Sequence, residues 1–163
     1  EHAPNKKAET IAGYLVNIPR LVEWPDMQSD TVIRPFVICI LGDDQEIYKS
    51  LIHLKNQPIA KRPVKVAIYY DIRLANTCQV VFVSRSEERV LPDIFSHLKG
   101  LPILTISDIP GFIESGGVFE LRLESKRISI LANPACAKKH QLFIRSNLLA
   151  LASNKSELSE MSC

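Results

Sequence analysis

The stretch FVICILGDD, Phe36 to Asp44, is an unbroken apolar run that stops at a glycine and two aspartates. A strand with one wet face alternates apolar and polar residues, and a membrane helix needs roughly 20 apolar residues, so this run predicts a strand buried on both faces. Burial on both faces demands covering layers above and below. Three further runs read as strands: VKVAIYY (Val64 to Tyr70), CQVVFVS (Cys78 to Ser84) and LPILTISD (Leu101 to Asp108). Between FVICILG and VKVAIYY, Ile47, Leu51 and Leu54 recur at helical spacing, and before LPILTISD the stretch EERVLPDIFSHLKG supplies a helix entered or bent around Pro92 and ended by Gly100. Strands that alternate with helices predict an α/β fold: an open, mostly parallel, Rossmann-like sheet with right-handed crossovers.

The pattern changes at both ends. Ala8, Ile11, Leu15, Ile18 and Val22 form one apolar stripe on a leading helix, which Pro19 breaks and Pro25 stops. That stripe serves either as core or as the interface of a homodimer; Trp24, at the helix end, is expected to pack on the core. After SDIPGFIESGGVFEL, Ser107 to Leu121, the runs VFELRLE and RISILAN flank Ser125-Lys126 and predict a C-terminal antiparallel hairpin. Gly116-Gly117 leads into a strand without a lysine or a helix start, so it reads as a turn with positive φ rather than a phosphate cradle. From Pro134 to Ala152 a closing helix is expected, followed by a polar tail over 153–163 that frays. One domain over 1–152 accounts for the rest.

Composition narrows function mainly by exclusion. The chain has 163 residues, is 46% hydrophobic and carries a net charge of +2, and its charges are interspersed, so neither nucleic acid nor an anionic membrane is implied as a partner. The first residue is Glu1 rather than Met, which is expected of a processed or trimmed chain. The cysteines Cys39, Cys78, Cys136 and Cys163 lack CxxC spacing, and no histidine pair has metal-ligand spacing, so no metal or other cofactor is expected. Cys39 lies in the first buried strand and Cys78 at the start of the third. If those strands are neighbours, the two residues approach bonding distance, as an oxidising compartment would favour. Cys136 and Cys163 can pair with each other, link two chains or stay free.

In open α/β sheets ligands gather at the carboxyl ends of the parallel strands, where strand order reverses. Those ends carry Asp43, Asp44, Ser84, Arg85, Ser86, Glu87, Ser107 and Asp108. Asp43, Asp44, Arg85, Glu87 and Asp108 form the candidate ligand or partner cluster. A receiver-type phosphoacceptor fails, since that chemistry needs an aspartate after the third strand and a lysine after the fifth. There is no GxSxG elbow, and His2, His53, His97 and His140 sit in polar or helical contexts, so a hydrolase acting through Ser84 or Asp108 is the weakest reading.

The motifs LVEWP, FVICILGDD, CQVVFVSRSEE, LKGLPILTISDIPGF, ESGGVFEL and RSNLLALA occur in that order between Ala8 and Ala152. Together the chain resembles the YfiR-like periplasmic regulators. The resemblance implies an exported α/β domain in the periplasm of Gram-negative bacteria, without a catalytic motif, and a bridge between Cys39 and Cys78. It also implies the partners: the periplasmic segment of an inner-membrane diguanylate cyclase that the regulator restrains, and an outer-membrane peptidoglycan-binding lipoprotein that sequesters the regulator. Release of the restraint raises cyclic di-GMP and favours biofilm formation. Two departures stand out: Pro19 interrupts the leading helix, and Cys136 has no mate close in sequence. The readings outside this family are a periplasmic small-molecule sensor and a hydrolase.

Overall fold

The computed structural model describes residues 5–25, 27, 34–151 and 163. Helix α1 (Lys6–Asn17) starts where the Asn5 side chain accepts a hydrogen bond from the Ala8 N–H at 3.1 Å, a cap for an otherwise orphaned donor. It ends before Pro19, and a single 3-10 turn, Ile18–Leu21, carries the proline where no donor is missed. The chain then enters a short strand, β1 (Val22–Glu23). The helix therefore stops earlier than Pro25, and Val22 reaches the core from a strand. Trp24 is buried and meets Phe36 edge to face, with ring centroids 5.2 Å apart.

Next come β2 (Phe36–Leu41), α2 (Gln45–Leu54), β3 (Val64–Tyr69), β4 (Val80–Val83), α3 (Leu91–Leu98) and β5 (Leu104–Ser107). A single turn, α4 (Phe112–Ser115), precedes β6 (Phe119–Glu124) and β7 (Arg127–Ala132). Then follow α5 (Pro134–Lys139), β8 (Phe143–Ile144) and α6 (Ser146–Leu151). The main sheet has the order β3-β2-β4-β5-β6-β7. Strands β2 to β6 pair in parallel, and only β7 runs antiparallel, against β6. The fold is thus the mixed α/β sheet with a terminal hairpin that the runs of apolar residues predict.

Strand β2 is the centre. Phe36, Ile38 and Ile40 face the core layer of α1, whereas Val37, Cys39 and Leu41 face that of α3, and all six are buried. Burying one such side chain is worth about 1.5–3 kcal/mol, so this strand contributes strongly to stability. The stripe of Ala8, Ile11, Leu15 and Ile18 is buried in the first layer, so it is core and not a free face for a second copy. The crossover from β3 to β4 has no α-helix; a 3-10 turn, Ile72–Thr77, capped by the Asp71 side chain, makes it.

The closing segment differs from the single helix expected after Pro134. Gln141 takes φ +62°, which ends α5, and the next residues form β8, antiparallel to β1 with Val22 opposite Ile144. Pairing between segments more than a hundred residues apart overrides a local helical pattern, because it satisfies backbone groups of both. The polar tail over 152–162 lies outside the described residues, as does His2.

Gly116 has φ +128°, in keeping with a turn, and Gly117 has a second role: the ring of buried Phe112 fills the space a β-carbon would need. Gly117→Ala is therefore expected to destabilise the chain by about 1–3 kcal/mol, read as a lower urea midpoint. An unchanged midpoint would mean that the ring yields. Cys39 and Cys78 are bonded, with Cα atoms 6.0 Å apart and a sequence separation of 39. For a closed loop of that length the chain-entropy model gives about 4 kcal/mol, the loss expected on replacing both cysteines with alanine. A loss of a few tenths would show that the unfolded chain is already compact.

Candidate functional site

Strand order reverses at β2, which lies between β3 and β4, so the carboxyl ends of β2 and β4 flank the switch point where a crevice opens. Asp43 and Asp44 follow β2, Arg85 follows β4 and Asp108 follows β5. The structure brings these four side chains around one cleft of about 260 Å³, which Lys7 and Ser86 also line. Glu87 does not line it and instead accepts a hydrogen bond from the Ser86 hydroxyl at 3.1 Å.

Gly42 makes this close approach feasible. Its φ is +110°, and a β-carbon there would fall within 3 Å of Ser84, Ser86 and Glu87 side-chain atoms. The two loops are thus held against each other, and the Asp43 N–H donates to Ser86 Oγ at 3.0 Å. Asp108 is the charge hub. Its Oδ2 lies 3.3 Å from Lys7 Nζ and 3.3 Å from Arg85 Nε, while an Arg85 terminal nitrogen donates to the Asp108 carbonyl at 3.2 Å. The aspartate is mostly covered and the two cations are about half exposed, so the pairs organise the rim more than they stabilise the fold.

Asp44 caps α2, accepting from the Ile47 N–H at 3.4 Å. Burial pushes its carboxyl above the usual range, and the nearby Asp108 and Asp43 push the same way against that hydrogen bond and Lys7. Three aspartates with a lysine and an arginine suit a ligand carrying both charges, or a polar partner side chain. Among the described residues no group of three or more His, Cys, Asp or Glu could hold a metal ion.

The serines are placed for structure. Ser107 donates to the Val83 carbonyl at 2.6 Å and accepts from the Ile109 N–H at 3.1 Å, which locks the turn after β5. Ser84 is buried, and its hydroxyl has no partner among the described residues. The histidines are engaged elsewhere: His97 meets Asn76 at 3.0 Å and His140 meets the Leu101 carbonyl at 2.8 Å, while His53 is an exposed residue of α2. Lys7 is the site residue that sequence reasoning missed. It reaches the cleft from the first turn of α1, across the sheet edge, and no local motif marks that approach.

Cys136 and Cys163 are bonded, with Cα atoms 4.9 Å apart and a sequence separation of 27. The mate of Cys136 is thus the last residue of the sequence and not a near neighbour. No helix among the described residues is long and apolar enough to cross a membrane.

A model of the YfiR/HmsC-like family matches residues 8–153. The chain belongs to the YfiR/HmsC-like family. Membership fits a periplasmic regulator of diguanylate cyclase signalling, and the two disulfides fit an exported protein. No curated protein matches the chain.

The electrostatics of Asp44 have a pH signature. Because its carboxyl is raised in the folded chain, ionised Asp44 costs stability at neutral pH, and that cost disappears below the ordinary carboxylate range. Asp44→Asn keeps the cap and removes the charge, so it should unfold at higher urea than the parent at pH 7 and at the same urea at pH 3. Asp44→Ala should lose about 1 kcal/mol of capping at pH 3, where the charge is already absent. A stability gain for Asp44→Asn that is equal at both pH values would contradict the burial argument.

Proposed function

We propose that this chain is a non-enzymatic periplasmic regulator that binds the periplasmic segment of an inner-membrane diguanylate cyclase and restrains it, lowering cyclic di-GMP and biofilm formation. The observation that carries this reading is the family match over residues 8–153, which spans nearly all of the described fold. Two disulfides support an oxidising compartment, and a rigid sheet covered on both faces supplies the constant surface that a binding regulator needs. Restraint by binding requires no active site; it requires affinity that differs between cyclase states. An outer-membrane peptidoglycan-binding lipoprotein that competes for the same regulator would lift the restraint by mass action.

The test uses the full oxidised chain and the purified periplasmic segment of a cyclase from the same cell. Direct binding by interferometry is expected, together with a rise in cellular cyclic di-GMP when the chain is deleted and displacement of the cyclase segment by the lipoprotein. Absence of binding together with unchanged cyclic di-GMP on deletion would overturn the proposal. Alkylation of protein taken from the native periplasm should find Cys39 and Cys78 blocked and linked in one peptide pair. Four free thiols there would contradict the bridges and the support they give to this reading.

A second reading rests on the strand-end cleft. A ligand bound among Asp43, Asp44, Arg85 and Asp108 would make the chain a small-molecule sensor whose occupancy biases the partner contact. Saturable metabolite binding that Arg85→Ala abolishes, with partner binding dependent on that metabolite, would favour the sensor.

A further inference from the structure

On the opposite side of the sheet from α1, a second and larger cleft of about 890 Å³ opens beside α3. Its size falls in the range of roughly 300–1,000 Å³ that accommodates a whole small organic molecule. One wall is apolar: Leu91, Pro92 and Phe95 from α3 face Ile109 and Pro110 from the loop after β5. Phe95 is held in place from behind. Its ring lies against Gly116, where an added β-carbon would sit 3.1 Å from it, and 5.4 Å from the ring of buried Phe112. Such a wall is preformed, so a ligand need not order it on binding.

The other wall is polar and cationic. Lys99 and Lys139 line it, both exposed, and neither side chain makes an ion pair or hydrogen bond among the described residues. Among the described residues, Glu88 is the only carboxylate side chain in the lining. His140 lies between these features and is 5% exposed. Its Nδ1 lies 2.8 Å from the Leu101 carbonyl oxygen, which can only accept, so Nδ1 carries the proton. Nε2 is then the uncommitted nitrogen of a buried ring, with no partner among the described residues. With Nδ1 committed to Leu101, Nε2 is the ring nitrogen left to accept a hydrogen bond from a ligand in the cleft. The bond from Cys136 holds Cys163 at the rim.

We propose that this cleft binds a small amphipathic organic anion, with an apolar body against Leu91, Phe95 and Ile109, an anionic group at Lys99 and Lys139, and a hydrogen bond to His140 Nε2. The site is separate from the strand-end cleft and does not depend on the regulatory reading. Its test uses two dyes with the same ring system, 8-anilinonaphthalene-1-sulfonate and the neutral N-phenyl-1-naphthylamine, titrated into the full oxidised chain. The sulfonate should bind saturably at one site and about tenfold or more tighter than the neutral dye, the ratio that 1.4 kcal/mol of charge recognition produces. The double variant Lys99→Glu, Lys139→Glu should remove that advantage while leaving the neutral dye's affinity unchanged, since both lysines are exposed and the fold does not rest on them. In a nitrogen-15 spectrum of the imidazoles, the sulfonate should shift His140 Nε2 and leave Nδ1 in place. Equal affinity for the two dyes, a double variant that binds the sulfonate like the parent, or loss of binding on Phe143→Ser, a change at an exposed ring outside the cleft, would each overturn the proposal.

Discussion

Burial of β2 on both faces is the constraint to which the other elements answer, because Phe36, Ile38 and Ile40 need one covering layer and Val37, Cys39 and Leu41 need another. Helices α1 and α2 close the first side, and α3 with the turn at Phe112 closes the second. The disulfide from Cys39 draws the entry to β4 against β2 on the second side, so the strand pairing at the switch point is tied covalently as well as by hydrogen bonds. With β2 between β3 and β4, the loops after β2 and β4 have no choice but to meet.

Where those loops meet, two requirements conflict. The backbone must come close enough to bring Asp43, Asp44, Arg85 and Asp108 together, yet three carboxylates in a half-covered cleft repel one another. Gly42 settles the first requirement by carrying no side chain, and Lys7 with Arg85 settles the second by pairing with Asp108. Asp44 still carries a raised carboxyl, from its burial first and from the neighbouring Asp108 and Asp43 second. Charged groups held in a cleft at a cost to stability are typical of sites kept for binding.

The sheet and its hairpin are legible in the sequence because they follow from short-range patterns: unbroken apolar runs for the buried strands, alternation for β6 and β7, proline and glycine for the ends of α1 and α3. The strand-end residues are legible as a group because parallel strands point their carboxyl ends the same way. What local patterns hide is contact at long range. Val22 reads as the end of a helix and Phe143 as the middle of one, yet β1 and β8 pair. Lys7 reads as a helix start and proves to be a counter-ion of Asp108. His140 reads only as a residue in a polar or helical context, and it lies buried against Leu101.

The amino-acid sequence by itself determined which segments must be buried, hence a mostly parallel sheet covered on both faces, and a charge balance that implies neither nucleic acid nor an anionic membrane as a partner. Only the tertiary structure decided which distant charges share a cleft, which half of the closing segment becomes a strand, and that the last cysteine returns to Cys136. The reason is one of range: periodicity records what each residue must face, solvent or core, whereas the identity of its neighbour is set by how the layers close over the sheet.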